Sequence, residues 1–366
     1  MTCKGSSNEE PLPFGRFAFR GAVYNPAARV RPRSLRGLAT VFPFPAVWAV
    51  GRCLFPREFV MRALVTGATG FVGPRLLRLL DDPVVLTRNP DRARDTIGTL
   101  AGRIHAWDPM QGPPPEEAFE GVDTVFHLAG ESVAEGRWTA AQKARIRDSR
   151  VVGTRHLVQG MATLDTRPAT LVSSSAVGYY GDRGEAELTE AAPPAKDFLA
   201  GVCVDWEAEA MAAEANGVRV VTARTGIVLG AGGGALARIL PPFRMGAGGP
   251  LGNGKQWMPW IHVADLASLY VHAAATASLR GPMNAVAPNP VRNSEFTKAL
   301  ASALGRPALV PVPYFGLRLA FGEFAQVLFH SQRVLPTVAM ESNFSFRYPT
   351  IVEALAEIMG TKSTAA

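Results

Sequence analysis

The stretch RALVTGATGFVGPRLLRLL, residues 62 to 80, limits the fold of this chain more than any other. An apolar run of strand length enters a glycine turn, and apolar residues then recur at Phe71, Leu76, Leu77 and Leu80. That order predicts a buried strand, a tight turn and a helix. Gly67, Gly70 and Gly73 form a GxxGxxG spacing. The first two glycines permit the turn and a close backbone approach to a pyrophosphate, and the third lets the helix pack on the strand. Free N–H groups at the helix start then face the anion. Thr69 and Phe71 belong to the same candidate loop, and Pro74 falls where a missing N–H is harmless.

Further strands follow in the order that a nucleotide fold requires. PVVLTR reads as the second, ending at Thr87 and Arg88. An acid there would accept from a ribose 2′-OH, whereas a guanidinium suits a 2′-phosphate, so Arg88 points to NADP(H). RIHAWDP reads as a third strand ending at Asp108, which either meets the adenine amine or closes a turn before the proline-rich loop. VDTVFHLAGE is the fourth, and Leu128, Ala129 and Gly130 let its backbone approach the nicotinamide ribose side. His127 reads as a packed strand-end residue rather than a base. ATLVSSSA and VRVVTARTGIVL supply a fifth and a sixth strand, with helices between. The class is α/β, a Rossmann-type doubly wound parallel sheet with a smaller C-terminal substrate lobe.

The distribution of charge narrows the partners. Residues 1–60 hold nine Lys or Arg against three acids, or +6 of the formal +7. The rest is nearly neutral, which argues against a nucleic-acid footprint. Three scattered cysteines and six unclustered histidines suggest neither a disulfide framework nor a metal site. No run approaches the ~20 apolar residues that span a bilayer. Residues 1–60 are rich in Arg and Pro, without a sustained period. They read as a disordered extension from an upstream start, with Met61 beginning the natural chain in a cytoplasmic protein, or as an organelle transit peptide. Residues 61–230 are expected to form the dinucleotide-binding domain, and 231–366 a C-terminal lobe packed on it.

TGATGFVG, HLAGESV, RWTAAQKARIRDSRVVGTRHLV, SSSAVGYYGDRGEAELTE, FLAGVCVDWEAEA, ARTGIVLGAGGGAL and MPWIHVADLA together carry a resemblance covering Met61 to about Ile358. The chain resembles the extended and atypical short-chain dehydrogenase/reductases. It is most similar to their epimerase-like NADP-binding oxidoreductases with a family-specific C-terminal extension. The resemblance implies a seven-stranded sheet, an NADP(H) cofactor and a small-molecule substrate. Some plant and cyanobacterial relatives are linked to plastid or cell division, so a silent NADP(H)-binding regulator is the alternative to an enzyme. The superfamily's catalytic set is a Ser or Thr with YxxxK, in which the lysine cation makes the tyrosine a usable base. Ser175 fits the serine, but Phe198 and Val202 stand at the other two places. Tyr179 and Tyr180, just after Ser175, are the replacement hydroxyls, and either could reach substrate.

Glu131, Lys143 and Trp257 are the substrate-side candidates. Lys143, Arg147 and Arg150 share one helix face, which reads as solvated unless it meets a ligand. LGAGGGAL and GAGGPLGNGKQWMPW suggest a mobile lid lined by Trp257, Met258 and Trp260. Asp265 reads as a helix anchor and Ser294 as the N-cap of the helix in SEFTKALASAL. FGLRLAFGEFAQVLFHSQRVLP reads as one apolar helix packed on the lobe, with membrane binding or a homodimer seam as the alternatives. The resemblance also leads to a glycine just before Phe344, where the chain has Ser342-Asn343.

Overall fold

The computed structural model describes residues 61–308 and 310–360, and the readings of residues 1–60 lie outside them. Seven parallel strands form one sheet: β1 (Ala63–Thr66), β2 (Val84–Thr87), β3 (Arg103–Ala106), β4 (Thr124–His127), β5 (Thr170–Ala176), β6 (Arg219–Thr225) and β7 (Gly281–Ala285). Their spatial order is β7-β6-β5-β4-β1-β2-β3. The chain therefore winds outward from β1 to β3, then returns to lay β4 on the other side of β1. That reversal opens a crevice at the carboxyl ends of β1 and β4.

β1 shows why the central strands read as unbroken apolar runs. All four of its residues are buried, and neighbours alternate between two cores. Leu64 packs with Trp107, Leu157 and Leu171 on one face, while Val65 packs with Leu76, Leu266 and Tyr270 on the other. A parallel sheet covered on both sides needs apolar residues at every position.

The helices on those faces are α1 (Gly73–Leu77), α2 (Pro90–Ile97), α3 (Ala140–Ala162), α4 (Phe198–Met211) and α6 (Val263–Ala275). Short polar side chains start several of them. Asn89 accepts from Arg92 N at 3.0 Å, and Asp197 accepts from Ala200 N at 3.0 Å. Each occupies an orphan N–H of a first turn.

A third core, built on Leu229, Trp260, Phe296 and Leu355, joins α5 (Leu236–Arg244), α7 (Asn293–Leu304) and α10 (Ile351–Met359). Several expectations change in this region. α7 begins at Asn293 with Arg292 at its cap position, so Ser294 lies inside the helix rather than before it. The long apolar segment is two helices, α8 (Tyr314–Phe321) and α9 (Phe324–Val327), because Gly322 takes φ +63 and ends the first. Asp265 is buried and accepts from the backbone N–H groups of Arg347 and Tyr348 at 2.8 and 2.9 Å. It anchors the turn that leads into the helix Ile351–Met359, while the cap of its own helix is His262. Asn343 adopts φ +61, doing with an asparagine what a glycine does at such a turn.

Candidate functional site

The glycine turn sits where β1 meets the crevice, and its three glycines have different reasons. Gly67 has φ +72, and a Cβ there would lie 2.7 Å from the Leu128 carbonyl carbon and 2.8 Å from Ala129 N. A Cβ on Gly73 would lie 2.1 Å from Ala68 O. The protein's own packing thus requires both. Gly70 is exposed and would meet only Gly67 O, at 3.2 Å, which leaves its outer side open. Thr69 is exposed beside it, so backbone and small groups alone line this lip. Such a cradle suits a large polar group that must approach the main chain closely.

Phe71 closes one end of this turn in a way the sequence did not reveal. Cβ atoms on Gly233 and Gly234 would lie 2.4 and 2.7 Å from its ring, so the loop Gly230–Gly234 is glycine-rich in order to lie against Phe71. Arg75 stacks 4.5 Å from the ring centroid and donates to Phe71 O and Ala231 O, each at 2.7 Å. The loop expected to swing freely is pinned to the glycine turn.

Arg88 follows β2 and is exposed, and among the described residues it forms no ion pair. Asp108 spends its carboxylate locally, accepting from Met110 N and Gln111 Nε2 at 3.0 Å each. This is the turn-closing alternative for its side chain. Leu128 and Ala129 are half-buried and Gly130 is exposed at the end of β4. His127 is fully buried between the hydroxyls of Thr66 and Thr154, at 2.7 and 2.9 Å. Burial, helped by the nearby Arg150 charge, lowers its pKa to about 4, so it packs as a neutral ring.

A buried polar chain runs from the end of β5 across the sheet. Ser175 donates to Glu207 Oε1 at 2.6 Å. Arg224 on β6 grips the same carboxylate with Nε and Nη2, both at 2.8 Å. Its Nη1 donates to the Tyr180 hydroxyl at 3.0 Å, and that hydroxyl donates to Asn284 Oδ1 on β7 at 2.7 Å. Burial opposes the charge on Arg224, but its bonds to Glu207 and Tyr180 prevail and raise its pKa. Tyr180 corrects the sequence reading. Its side chain is fully buried, both sides of its hydroxyl are engaged, and burial pushes its pKa up to about 12. It turns inward to join β6 to β7 rather than outward to a substrate. Tyr179 packs beside it, edge to face, with the ring centroids 5.3 Å apart. It is half-buried, the Arg224 guanidinium lies 3.5 Å from its ring centroid, and its hydroxyl bonds to no group among the described residues.

Phe198, in the place of a tyrosine, packs 5.3 Å from Trp138, edge to face. Lys143 stands 5.2 Å above the Phe198 ring and pairs with Glu323 at 2.6 Å. Arg137 donates to Leu319 O, and Phe324 lies 5.6 Å from Trp138. The helices α8 and α9 therefore close over the 131–139 loop and hold Lys143 by its charge. Glu131 at the start of this loop is half-buried, with its N–H on Ser149 Oγ at 3.0 Å.

The tryptophans do not form the expected lid. Trp260 is fully buried, and Trp257 is sandwiched between Arg292 and Arg333, at 4.4 and 4.9 Å. Residues 257–258 pair with 291–292 as short antiparallel strands, and 260–262 pair in parallel with 227–229, so a separate strand pairing holds each tryptophan. No group of three or more His, Cys, Asp or Glu suited to a metal occurs among the described residues. None of their helices is long and apolar enough to cross a membrane.

A glycine turn at the sheet's reversal, with the buried Ser175 near the end of β5, defines a dinucleotide-type oxidoreductase or epimerase fold. Comparison with known proteins agrees. Residues 63–285 match the model of the NAD dependent epimerase/dehydratase family, and residues 312–358 match DUF1731, a domain of unknown function. The chain belongs to the NAD dependent epimerase/dehydratase family. It is 40% identical over 319 residues to the epimerase family protein SDR39U1 homolog, chloroplastic, of Arabidopsis thaliana, covering 84% of this chain and 89% of that protein. The crystal structure of human epimerase family protein SDR39U1 (isoform 2) with NADPH superposes with a TM-score of 0.71 at 32% identity, over 82% of this chain and 99% of the human one. The nucleoside-diphosphate sugar epimerase from Corynebacterium glutamicum gives 0.67 at 34% identity, over 83% and 59% of the respective chains.

Proposed function

We propose that this protein is an NADP(H)-dependent oxidoreductase or epimerase-like enzyme for a small molecule, with Ser175 and Tyr179 as its polar catalytic groups. The observation that carries the reading is the pairing of an open Gly70 lip with an unpaired Arg88 guanidinium at the end of the neighbouring strand. Gly67, Thr69, Gly70, Phe71 and Gly73 would hold the diphosphate side, Arg88 the 2′-phosphate, and Leu128 to Gly130 the nicotinamide ribose side. The NADPH in the human relative's structure supports this choice. Bound NADPH would supply a hydride to a carbonyl carbon. Tyr179 then holds the proton that the resulting oxyanion takes, because its hydroxyl is free while that of Tyr180 is not. Ser175 gives its own hydrogen to Glu207, so its lone pairs remain to accept from a substrate hydroxyl.

One observation favours a second reading, an NADP(H)-binding protein without turnover. Phe198 and Val202 replace the acid/base pair, and the Phe198 ring is occupied by Trp138 and Lys143.

Titration with NADPH and NADH, then a carbonyl screen following loss of NADPH absorbance, separates the two. Turnover that Tyr179→Phe abolishes and Tyr180→Phe merely weakens supports the enzyme reading. Tight NADPH binding with no turnover on any carbonyl favours the silent one. Arg88→Glu should cost about ten- to a hundredfold in NADPH affinity and little in NADH affinity. Equal loss for both would remove the 2′-phosphate assignment.

A further inference from the structure

Lys143 stands in the first turn of α3, and α3 follows β4 just as α4 follows β5. The first turns of both helices therefore lie at the carboxyl edge of the sheet, where the crevice opens. Phe198 is the first residue of α4, and its ring lies 5.2 Å below the Lys143 ammonium, with Trp138 at 5.9 Å. This platform is tied to the turn of Tyr179. Ala195, shortly before Phe198, donates to Tyr179 O at 2.9 Å, and a Cβ on Gly178 would lie 3.3 Å from Leu199 Cβ. A cation over an aromatic face thus holds the place of the missing tyrosine.

The partner of this cation comes from far along the chain. Glu323 lies in the segment 312–358 that matches the domain of unknown function, and its Oε1 accepts from Lys143 Nζ at 2.6 Å. Among the described residues neither side chain forms another hydrogen bond, so two N–H donors of the ammonium remain unused. Arg147, one turn further along α3, shows the contrast. It pairs with Asp205 on α4, a helix packed directly against its own. Glu323 sits instead between α8 and α9, next to Gly322 with φ +63, and its side chain is half exposed. α8 buries none of its residues, and its Phe315 and Leu319 are exposed. The other holds of this strap on the site include the Arg137 bond to Leu319 O and the Trp138 contact with Phe324. An element with so little buried surface opens at low cost, and a partly solvated ion pair adds little to hold it. When the strap lifts, the cation stays behind on α3.

We propose that Lys143 is a specificity-determining residue that binds a carboxylate of the substrate, and that Glu323 occupies this place in the free protein and yields it to the substrate. The substrate is then an oxo acid or the corresponding hydroxy acid, with its carboxylate on Lys143 and its reacting carbon toward Tyr179. A lysine presents one compact charge without the planar fork that grips two phosphate oxygens, and the group already seated on it is a carboxylate held by one oxygen. The segment 312–358 acquires a role as an acidic plug. The proposal rests on the enzyme reading above.

The test uses the full chain and its Lys143→Met, Glu323→Gln and doubly substituted forms. The probes are 2-oxohexanoate, 4-oxopentanoate and phenylpyruvate, each beside its methyl ester. Binding is read by calorimetric titration of the NADP⁺-saturated proteins, and turnover by NADPH oxidation. At least one acid should bind the parent more tightly than its ester does. Glu323→Gln should raise the affinity for that acid about two- to fivefold, since no carboxylate has to be displaced, and should leave the ester unchanged. Lys143→Met should lower acid binding about ten- to a hundredfold and remove the preference for acid over ester, with or without Glu323. In turnover these changes fall on KM rather than kcat. A merely structural ion pair predicts that both single substitutions lower the melting temperature and leave every acid and ester bound as in the parent, and that result overturns the proposal. So does weaker acid binding by Glu323→Gln, or failure of all three acids to bind both the parent and Glu323→Gln. If the parent binds no NADPH, the enzyme reading falls and this proposal with it; NADPH binding without a preference for the acids sinks this proposal alone.

Discussion

Replacing Glu207 with leucine tests the buried chain from Ser175 to Asn284 directly. The substitution keeps the volume but leaves the Arg224 guanidinium, 4% exposed, without its charge partner, and Ser175 without its acceptor. Removing one member of a buried ion pair costs about 3–5 kcal/mol, and an orphaned hydroxyl adds about 1 kcal/mol. A domain of about 300 residues unfolds with an entropy of about 0.6 kcal/mol per kelvin, so the melting temperature should fall by about 6–10 °C. Adding Arg224→Met removes the stranded charge, and Tyr180 still donates to Asn284. The double variant should therefore recover to within about 3 °C of the parent, a favourable coupling of at least about 2 kcal/mol. Calorimetry of the parent, both single variants and the double closes the cycle. Repeating it between low and high salt should change little, since burial shields the pair from screening. A Glu207→Leu shift below about 2 °C, or a double variant as unstable as the sum of the singles, would refute this account of the network.

Other substitutions probe the rest of the frame. His127 stays neutral in the fold with a pKa of about 4, against about 6.5 unfolded, so it stabilises the fold above pH 6.5. About 3 kcal/mol of that stability is lost as the pH falls from 6.5 toward 4, and His127→Gln should show a shallower fall in melting temperature over that window; an equally steep fall refutes the assignment. Gly233→Ala places a methyl 2.4 Å from the Phe71 ring and should destabilise by about 1–3 kcal/mol, with Phe71→Leu in the same chain recovering part of it in a denaturant titration. Asn343→Val forces a β-branched residue to φ +61 and should cost about 1–2 kcal/mol, whereas Asn343→Gly should be close to neutral by the same assay.

Six of the seven strands were legible, five of them because a strand buried on both faces writes itself as a largely apolar run; the sixth, β3, is a partly exposed edge strand. The seventh, GPMNA, was not read from its residues. Glycine, proline and asparagine disfavour strands, and β7 tolerates Pro282 because it lies at the sheet's edge. Gly67, Gly70 and Gly73 announced the crevice through their spacing, but only the structure separates the glycines that the protein needs from the one left open. Helical spacing put Lys143, Arg147 and Arg150 on one face, yet spacing carries no information about which acid another element brings alongside. Glu207 and Arg224 stand 17 residues apart on a helix and a strand, and no local pattern joins them to Ser175. The tryptophans misled because a glycine-flanked aromatic cluster looks alike whether it covers a ligand or fills a core.

The edge strand has a practical consequence. A chain cut after residue 230 would keep six strands but strip β6 of its neighbour. The Tyr180 hydroxyl would lose Asn284, and Glu190, which accepts from Asn284 N and Val338 N, would lose both donors. The early half would expose a raw hydrogen-bonding margin prone to sticking to its own copies. Expression fragments meant to isolate the nucleotide half should therefore run through residue 285 at least, and those that include 338 should resist proteolysis better.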